Sequence, residues 1–596
     1  MSKGAPKRRQ EAEYMSDRES WQAARTRLMN RIHALLSARA RAATGFLSSP
    51  EPRTTGVVAR GRQLIAGNLM FAGHLVEAPG AMVWDLDPPD AAYMEDIQGF
   101  GWLDDLAAVG DVKARKVAQD WLWGWIARYG RGRGPGWSPE LTGRRLIRWI
   151  HHALFILRAQ DPEHAALFYR SLAQQAIFLG KRWHVSPPGL PRFEALTGLI
   201  YAGISLEGME RYAGPAARAL GAECSRQVDA MGGLPTRNPE ELLEVFTLLT
   251  WAQSALEEAD LKPDPEHIAA ITRIAPTLRA LRHADGGLAR FHGGGRGQEG
   301  RLDHALAVSG VKKRPADGLT MGYARLSGGR TSLVVDAAAP PSGKASYNAH
   351  ASTLAFELTS GRRPLIVNCG SGAVFGRDWR RAGRATLSHT ALCVDGYSSA
   401  RLGKPERIGS SLRERLEDAP RNVPVQISNG VDGLRFEGGH DGYVATHGLT
   451  HARILELGFD GRSLEGEDLL MALEDGDKRT FDRRMDSLKL AGVPFQLRFH
   501  LHPDVDSAQD MGGQAVSMAL RSGEMWVFRH EGGVELTLEP SVYLEKGRLR
   551  PRSCNQIVLS GRAMEYATRI RWSLAKARDT AIAIRDLAMD EAETDS

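Results

Sequence analysis

Isolated histidines beside small residues, arginines grouped with tryptophan, and a few carboxylates are the residues of this 596-residue sequence whose types and spacing suggest chemistry. His350 stands between Ala349 and Ala351 in an alternating run that reads as a strand, which leaves room for a ligand beside the ring; a hydrogen-bonded core histidine fits the same pattern. His389 closes the run Thr386-Leu387-Ser388-His389 ahead of apolar residues 391–394 and carries the same two readings. His500 and His502 are two apart, so they share a strand face and a metal could bridge them. Two polar residues on the solvent face of residues 495–501 is the simpler account. Arg377-Asp378-Trp379-Arg380-Arg381, with Arg384, is the densest cation and aromatic group of the second half. Guanidinium forks pair with carboxylates or sulfates while an indole stacks on a sugar face; a solvated turn has the same composition. Arg144, Arg145 and Arg148 ahead of Trp149 form either a second such group or a salt-bridged helix face.

The elements that must position these residues change character along the chain. Ser138, Asp161, Asn238 and Asp264 are each followed by Pro and Glu. That is a helix start: the side-chain oxygen accepts an orphan N–H, Pro at the first position loses no bond, and Glu suits the positive end of the dipole. Behind these caps the apolar spacing is helical, as in Leu242, Leu243, Val245, Phe246 and Leu249, and ten of the 13 Trp residues fall before residue 255. After about residue 318 the period becomes two and the turns Gly-rich. Residues 323–336 read as a hairpin across Ser327-Gly328-Gly329, and residues 453–470 as another across Asp460-Gly461. Short strands at this spacing predict an antiparallel β-sandwich after a stack of helices. The boundaries follow as a basic segment 1–60, a helical domain 61–300, a β-sandwich domain 318–576 and an acidic tail 586–596, with Gly293 to Gly297 as the linker.

Composition narrows the partners. The chain carries 77 Lys and Arg against 71 Asp and Glu, a net +6. Residues 1–62 hold +8 and residues 586–596 hold −5, leaving the 523 residues between them at +3. No nucleic-acid footprint is expected from a body so nearly balanced. Four scattered cysteines give neither a disulfide framework nor a zinc ribbon. The basic start runs into Glu11, Glu13, Asp17 and Glu19 instead of an apolar core, so no export signal and no transmembrane segment is expected. Within residues 1–62, Trp21, Leu28, Ile32, Leu35 and Leu36 fall at near-helical spacing and read as a lipid-surface or partner helix, or as one docked on the helical domain.

Particular segments resemble the heparinase II/III-like family of polysaccharide lyases. They are residues 349–358 with Arg363-Pro364-Leu365-Ile366-Val367-Asn368-Cys369-Gly370, residues 384–389, His440-Asp441-Gly442-Tyr443, His451-Ala452-Arg453, Gly232-Gly233 with Thr236-Arg237-Asn238-Pro239, and residues 282–288. The resemblance implies an N-terminal α/α toroid, a C-terminal antiparallel β-sandwich, and a carbon–oxygen lyase that cleaves an acidic, uronate-containing polysaccharide such as a glycosaminoglycan by β-elimination. Such a reaction neutralises a carboxylate, removes the weakly acidic C5 proton and protonates the leaving oxygen.

Carried over residue by residue, the family's roles fall unevenly. His350, Tyr443 and Tyr347 are the candidate proton carriers; Arg192, Arg237, Asn348, Arg377, Trp379 and Arg380 are the candidate substrate-binding residues. The family's metal position falls on His350, Asn368 and His389, making one divalent ion, zinc, the candidate cofactor, with an amide where a carboxylate is usual. Pro191-Arg192 stands where members have Asn-His, and Glu241 where many have Tyr. A non-catalytic glycan-binding or envelope-assembly protein on the same scaffold is therefore the alternative, and a hydrolase using Glu241 or Asp285 a further one. The lack of an export signal points to the cytoplasm; the family points to the periplasm or cell envelope. Oligomeric state is not legible.

Overall fold

The computed structural model describes residues 21–39, 43–48, 51–315, 317–408 and 411–577; the acidic tail and residues 1–20 lie outside them. The chain divides into two compact units. The first comprises the described residues up to Gln227 together with Val245–Ala270 and Lys404–Glu414. The second comprises Val228–Glu244, Ile271–Gly403 and the described residues from Arg415 onward.

Helices of the first unit build the α/α toroid, and the helix starts marked by a capping residue, Pro and Glu are present along the chain. Helices begin at Pro139, Pro162, Pro239 and Pro265. Asp161 accepts the N–H of His164, Asn238 those of Glu240 and Glu241, and Asp264 that of Glu266. Ser138 departs from the expectation: its helix starts on schedule, but its hydroxyl makes no cap bond. Pro139–His151 and Leu190–Ser205 cross at Gly143 and Gly198, where a Cβ on Gly198 would lie 2.5 Å from the Gly143 Cα. Two hydrogens for side chains let these backbones touch. On the same helix Arg145 is fully buried, its guanidinium 4.2 Å from the Trp125 ring and bonded to Gln175 Oε1 and the Gly136 carbonyl. Burial pulls its pKa down to about 9. Arg144 pairs with Glu194 at 2.6 Å and Arg148 with Asp104 at 2.9 Å. The arginine row is thus an internal polar seam of the toroid.

In the second unit the period-two pattern produces the antiparallel β-sandwich. One sheet orders Val425–Asn429, Gly433–Tyr443, Leu449–Gly458, Ser463–Met471, Ala567–Lys576, Met525–Glu531, Ala515–Ala519 and Asp506–Asp510. The other orders Glu535–Tyr543, Arg552–Ala563, Val493–Leu501, Arg363–Val367, Phe356–Ser360, Thr331–Asp336 and Tyr323–Gly328, with Leu392–Val394 paired onto Val493–Leu501. Leu449–Gly458 alternates buried and half-buried residues without a break, as a strand with one face in the core must. Phe356, Trp572 and Phe528 stack nearly parallel at 6.0 Å spacings through the middle of that core. Gly466, opposite Trp572, makes this possible, since a Cβ there would fall 2.0 Å from the indole.

Three sequence expectations need correction. His350 is not in a strand: it lies in the loop between a 3-10 turn, Gly343–Asn348, and Phe356–Ser360, where Leu354 turns the chain with φ +65°. His500 and His502 do not face solvent; both are buried, the first against Cys369 and Ser541, the second against Tyr543. The Gly293 to Gly297 run is no linker but a packed loop of the second unit. Gly295 N–H donates to Glu240, and a Cβ on Gly294 would meet Asn238 Oδ1 at 2.4 Å.

Candidate functional site

The loop that carries His350 is held from both sides. Arg384, itself buried, donates to the carbonyls of Ala349 and Ser346 at 2.7 and 2.9 Å, and the Ala351 N–H returns a bond to the Arg384 carbonyl. Arg384, expected as part of a ligand cluster, therefore serves as the loop's internal brace. Three imidazoles meet here. His350 Nδ1 lies 3.0 Å from His389 Nε2, and the His350 N–H donates to His292 Nδ1 at 3.1 Å.

The partners settle the tautomers. His389 Nδ1 faces the Ala385 carbonyl at 2.8 Å and must carry the proton, so its Nε2 accepts from His350 Nδ1–H. His292 accepts at Nδ1, so its proton sits on Nε2, 3.4 Å from Asp336. His350 Nε2 is left with a lone pair. Burial first, then the neighbouring His389 and His292, holds His350 well below the ordinary histidine range. His389 is pulled down to about 4, chiefly by burial. Neutral imidazoles fill the cluster at pH 7.

Behind them is a buried ion pair that the sequence reading missed. Asp336, at the end of its strand, accepts from Arg237 Nη2 at 2.5 Å and from Ser352 Oγ at 2.7 Å. Burial alone would raise its pKa, but Arg237 and His292 outweigh that and bring it to about 2. Arg237 itself adopts φ +48° just ahead of the Asn238 cap. Its five guanidinium hydrogens go to Met321, Ala338, Ala339 and Gly322 carbonyls and to Asp336. Tyr323 completes the group, its ring 4.8 Å under Arg237 and its hydroxyl donating to the Arg237 carbonyl.

The other candidates scatter. Tyr443 is fully buried in the sandwich core, its hydroxyl donating to the Leu392 carbonyl at 2.7 Å and its pKa raised well above the usual range by burial. That corrects its assignment as a proton carrier. Asn348 accepts from Arg380 at 3.3 Å, and Arg380 also donates to the Tyr347 carbonyl at 2.6 Å, which ties these three into one surface loop; Arg415 Nε donates to the Tyr347 hydroxyl. Trp379 is 37% exposed beside exposed Arg377 on the short helix Arg377–Gly383. Arg192 lies in the first unit, pairing with buried Glu223 at 3.1 Å and donating to the Ser186 carbonyl at 2.7 Å. Asp285 closes a turn by accepting the Gly287 N–H and pairs with Arg296, which is the work of a structural carboxylate.

The expected zinc set does not fit these residues. Asn368 Oδ1 accepts the Thr390 N–H at 3.0 Å and its amide nitrogen lies 3.5 Å from Glu357, so the side chain is committed away from the two histidines. Among the described residues no group of three or more His, Cys, Asp or Glu is placed to hold a metal ion. His292 and Asp336 could have been suspected from sequence: Phe291-His292 directly precedes the glycine run, and Asp336 ends an otherwise apolar strand.

A family model, "Heparinase II/III-like, C-terminal", matches residues 310–573. The chain is 30% identical over 537 residues to FtsZ-localized protein C of Caulobacter vibrioides, covering 87% of this chain and 88% of that one. Its fold is similar to a solved heparinase III, with a TM-score of 0.65 and 14% identity over 91% of this chain and 88% of that one. A heparan sulfate lyase mutant from Pedobacter heparinus aligns with a TM-score of 0.55 and 14% identity over 94% and 89%. The chain belongs to the heparinase II/III-like family, a family of polysaccharide lyases. At 14% identity the solved structures speak to the fold alone. No described helix is long and apolar enough to cross a membrane.

Proposed function

We propose that this chain keeps the lyase scaffold without the lyase chemistry and acts as a binding component that localises with FtsZ. The observation that carries the reading is the saturation of Arg237: all five of its donors are satisfied inside the second unit, so none remains to neutralise a uronate carboxylate. Two of the three candidate proton carriers agree with it. Tyr443 is sealed in the core, and His350 Nε2 is a base held well below pKa 6.5, poorly matched to a carbon acid as weak as a uronate C5–H. The 30% identity to FtsZ-localized protein C supports the partner.

Two experiments test this. The purified chain is incubated with heparin, heparan sulfate, hyaluronan, alginate and bacterial envelope glycans while the ultraviolet absorbance of an unsaturated uronide and the release of reducing ends are followed. No signal in either channel is expected; an unsaturated product lost with His350→Ala would establish the lyase instead, and reducing ends alone a hydrolase. Sedimentation with FtsZ polymers should bring the chain down, and its absence from the pellet would remove the proposed partner.

A second reading, that the chain also binds a glycan, rests on exposed Trp379. An exposed indole can stack on a sugar face. Loss of glycan retention on Trp379→Ala, with the fold unchanged, is its test.

A further inference from the structure

The helix Trp21–Ser37 is docked in the reverse of the usual sense. Its buried positions are Asn30, Ala34 and Ser37, which face the helix Pro162–Arg182 of the same unit. Arg182 Nε donates to Asn30 Oδ1 at 2.8 Å and Gln174 to the Ala34 carbonyl at 3.3 Å. The apolar side points away. Trp21 is 73% exposed, Leu28 58%, Leu36 52%, Leu35 42% and Ile32 39%. At about 100° per residue these five fall within an arc of about 100°, opposite the docked face. A surface helix of a globular protein normally turns such a stripe inward.

Charge decides what would cover it. Residues 21–39 contain four arginines, Arg25, Arg27, Arg31 and Arg39, and no Asp or Glu. Arg25 falls within the arc between Ile32 and Leu36, its guanidinium 5.5 Å from the Trp21 ring, and exposed Arg31 borders the stripe beside Leu35. An apolar strip with a tryptophan, accompanied by arginines and free of acids, is the composition of a helix that lies in a membrane interface and prefers anionic lipid. A second copy of the helix would bring arginine against arginine along the same strip, so like charges oppose that occupant. The polar side, which an interfacial helix ordinarily gives to water, is here fastened to the toroid by Asn30 and Ala34.

We infer that the helix Trp21–Ser37 is a peripheral docking surface for an anionic lipid bilayer, carried on the first unit and independent of the function proposed above. Leu28, Ile32, Leu35 and Leu36 enter the acyl boundary while Arg25 and Arg31 meet the headgroups.

The test is sedimentation of the full chain with vesicles of phosphatidylglycerol in phosphatidylcholine, against phosphatidylcholine alone. Binding is expected to the anionic vesicles and to weaken as salt is raised. Leu28→Glu with Leu35→Glu, both at exposed positions and so neutral to folding, should lower the partition coefficient by about tenfold for each leucine lost. Arg25→Ala with Arg31→Ala should erase the preference for anionic lipid. Failure to bind anionic vesicles overturns the inference, as does binding that ignores the leucine substitutions. A concentration-dependent dimer in solution that the same leucine variants dissolve would assign the face to a second copy instead.

Discussion

Removing Asp336 should show whether Arg237 belongs to the scaffold. Asp336 is fully buried and holds Arg237, Ser352 and His292 at 2.5, 2.7 and 3.4 Å. Asp336→Ala strands a buried guanidinium, and breaking a buried pair from one side costs about 3–5 kcal/mol. Arg237→Met with Asp336→Leu removes both charges and should cost less than the sum of the singles, because neither partner is left uncompensated. The pKa gives a second measure of the same interaction. Its fall from 3.8 to about 2 corresponds to about 2 kcal/mol of stability. The folded value is the lower one, so this stability is present above about pH 4 and is lost as pH falls toward 2. Urea unfolding, followed by tryptophan fluorescence and circular dichroism at pH 7 and between pH 5 and 3, reads both quantities. Asp336→Asn should be less stable at pH 7 and show a flatter decline with acid. A cost below about 1 kcal/mol for Asp336→Ala, or additive single and double variants, would refute the pairing. Arg237 would then be available to a substrate, and the case for a non-catalytic protein would lose its main support.

Other outcomes can be checked alongside. His389 and His500, lowered to about 4 and about 3 mainly by burial, are neutral when folded. Unfolding exposes them to protonation, so their contribution is complete above about pH 6.5 and declines as pH falls; His389→Gln should remove about 2 kcal/mol of the loss seen between pH 7 and 5 in urea titrations. Gly466→Val drives a side chain into Trp572 and should lower the stability of the sandwich by about 1–3 kcal/mol or more, visible as a lower melting temperature with the near-ultraviolet tryptophan signal altered. Gly198→Leu should separate the toroid's helix crossing at Gly143 and leave the chain unstable or insoluble on expression. Cys369, buried with its thiol raised to about 12, should resist iodoacetamide at pH 8 until urea unfolds the chain; rapid native labelling would contradict its burial.

The architecture was largely legible because it rests on local rules. Pro after a capping residue marks a helix start whatever lies around it, and four helices begin where that pattern stands. The alternation in residues 453–470 and 495–501 reports one buried face, and both runs are strands of the sandwich. Errors came where the same local pattern has two tertiary outcomes. Ala349-His350-Ala351-Ser352 alternates as a strand would, yet its small residues instead let the chain lie close to Arg384 and His292. Gly293 to Gly297 has the composition of a linker, and its missing side chains are instead what allows close approach to Asn238 and Asn348.

The site was legible as a set of residue types but not as a set of partners, and the partners decide its chemistry. An arginine beside Asn-Pro-Glu reads as a free cation until the chain brings Asp336 and four carbonyls around it; these acceptors lie 84 to 102 residues away in sequence. Tyr443 reads as a phenol able to move protons until Leu392, 51 residues earlier, takes its hydroxyl bond in a dry core. His350 and His389 are candidates by sequence, but the third imidazole, His292, directly precedes a glycine run that reads as a linker. Each group retains the residue type a lyase would use and spends it on holding its own unit together. What the chain leaves exposed is the more informative part: an indole at Trp379, and an apolar stripe with arginines from Trp21 to Leu36. Arg237 and Tyr443 are committed inward, so those two residues are not available to a ligand, and the exposed surfaces are where the proposed binding role is to be tested.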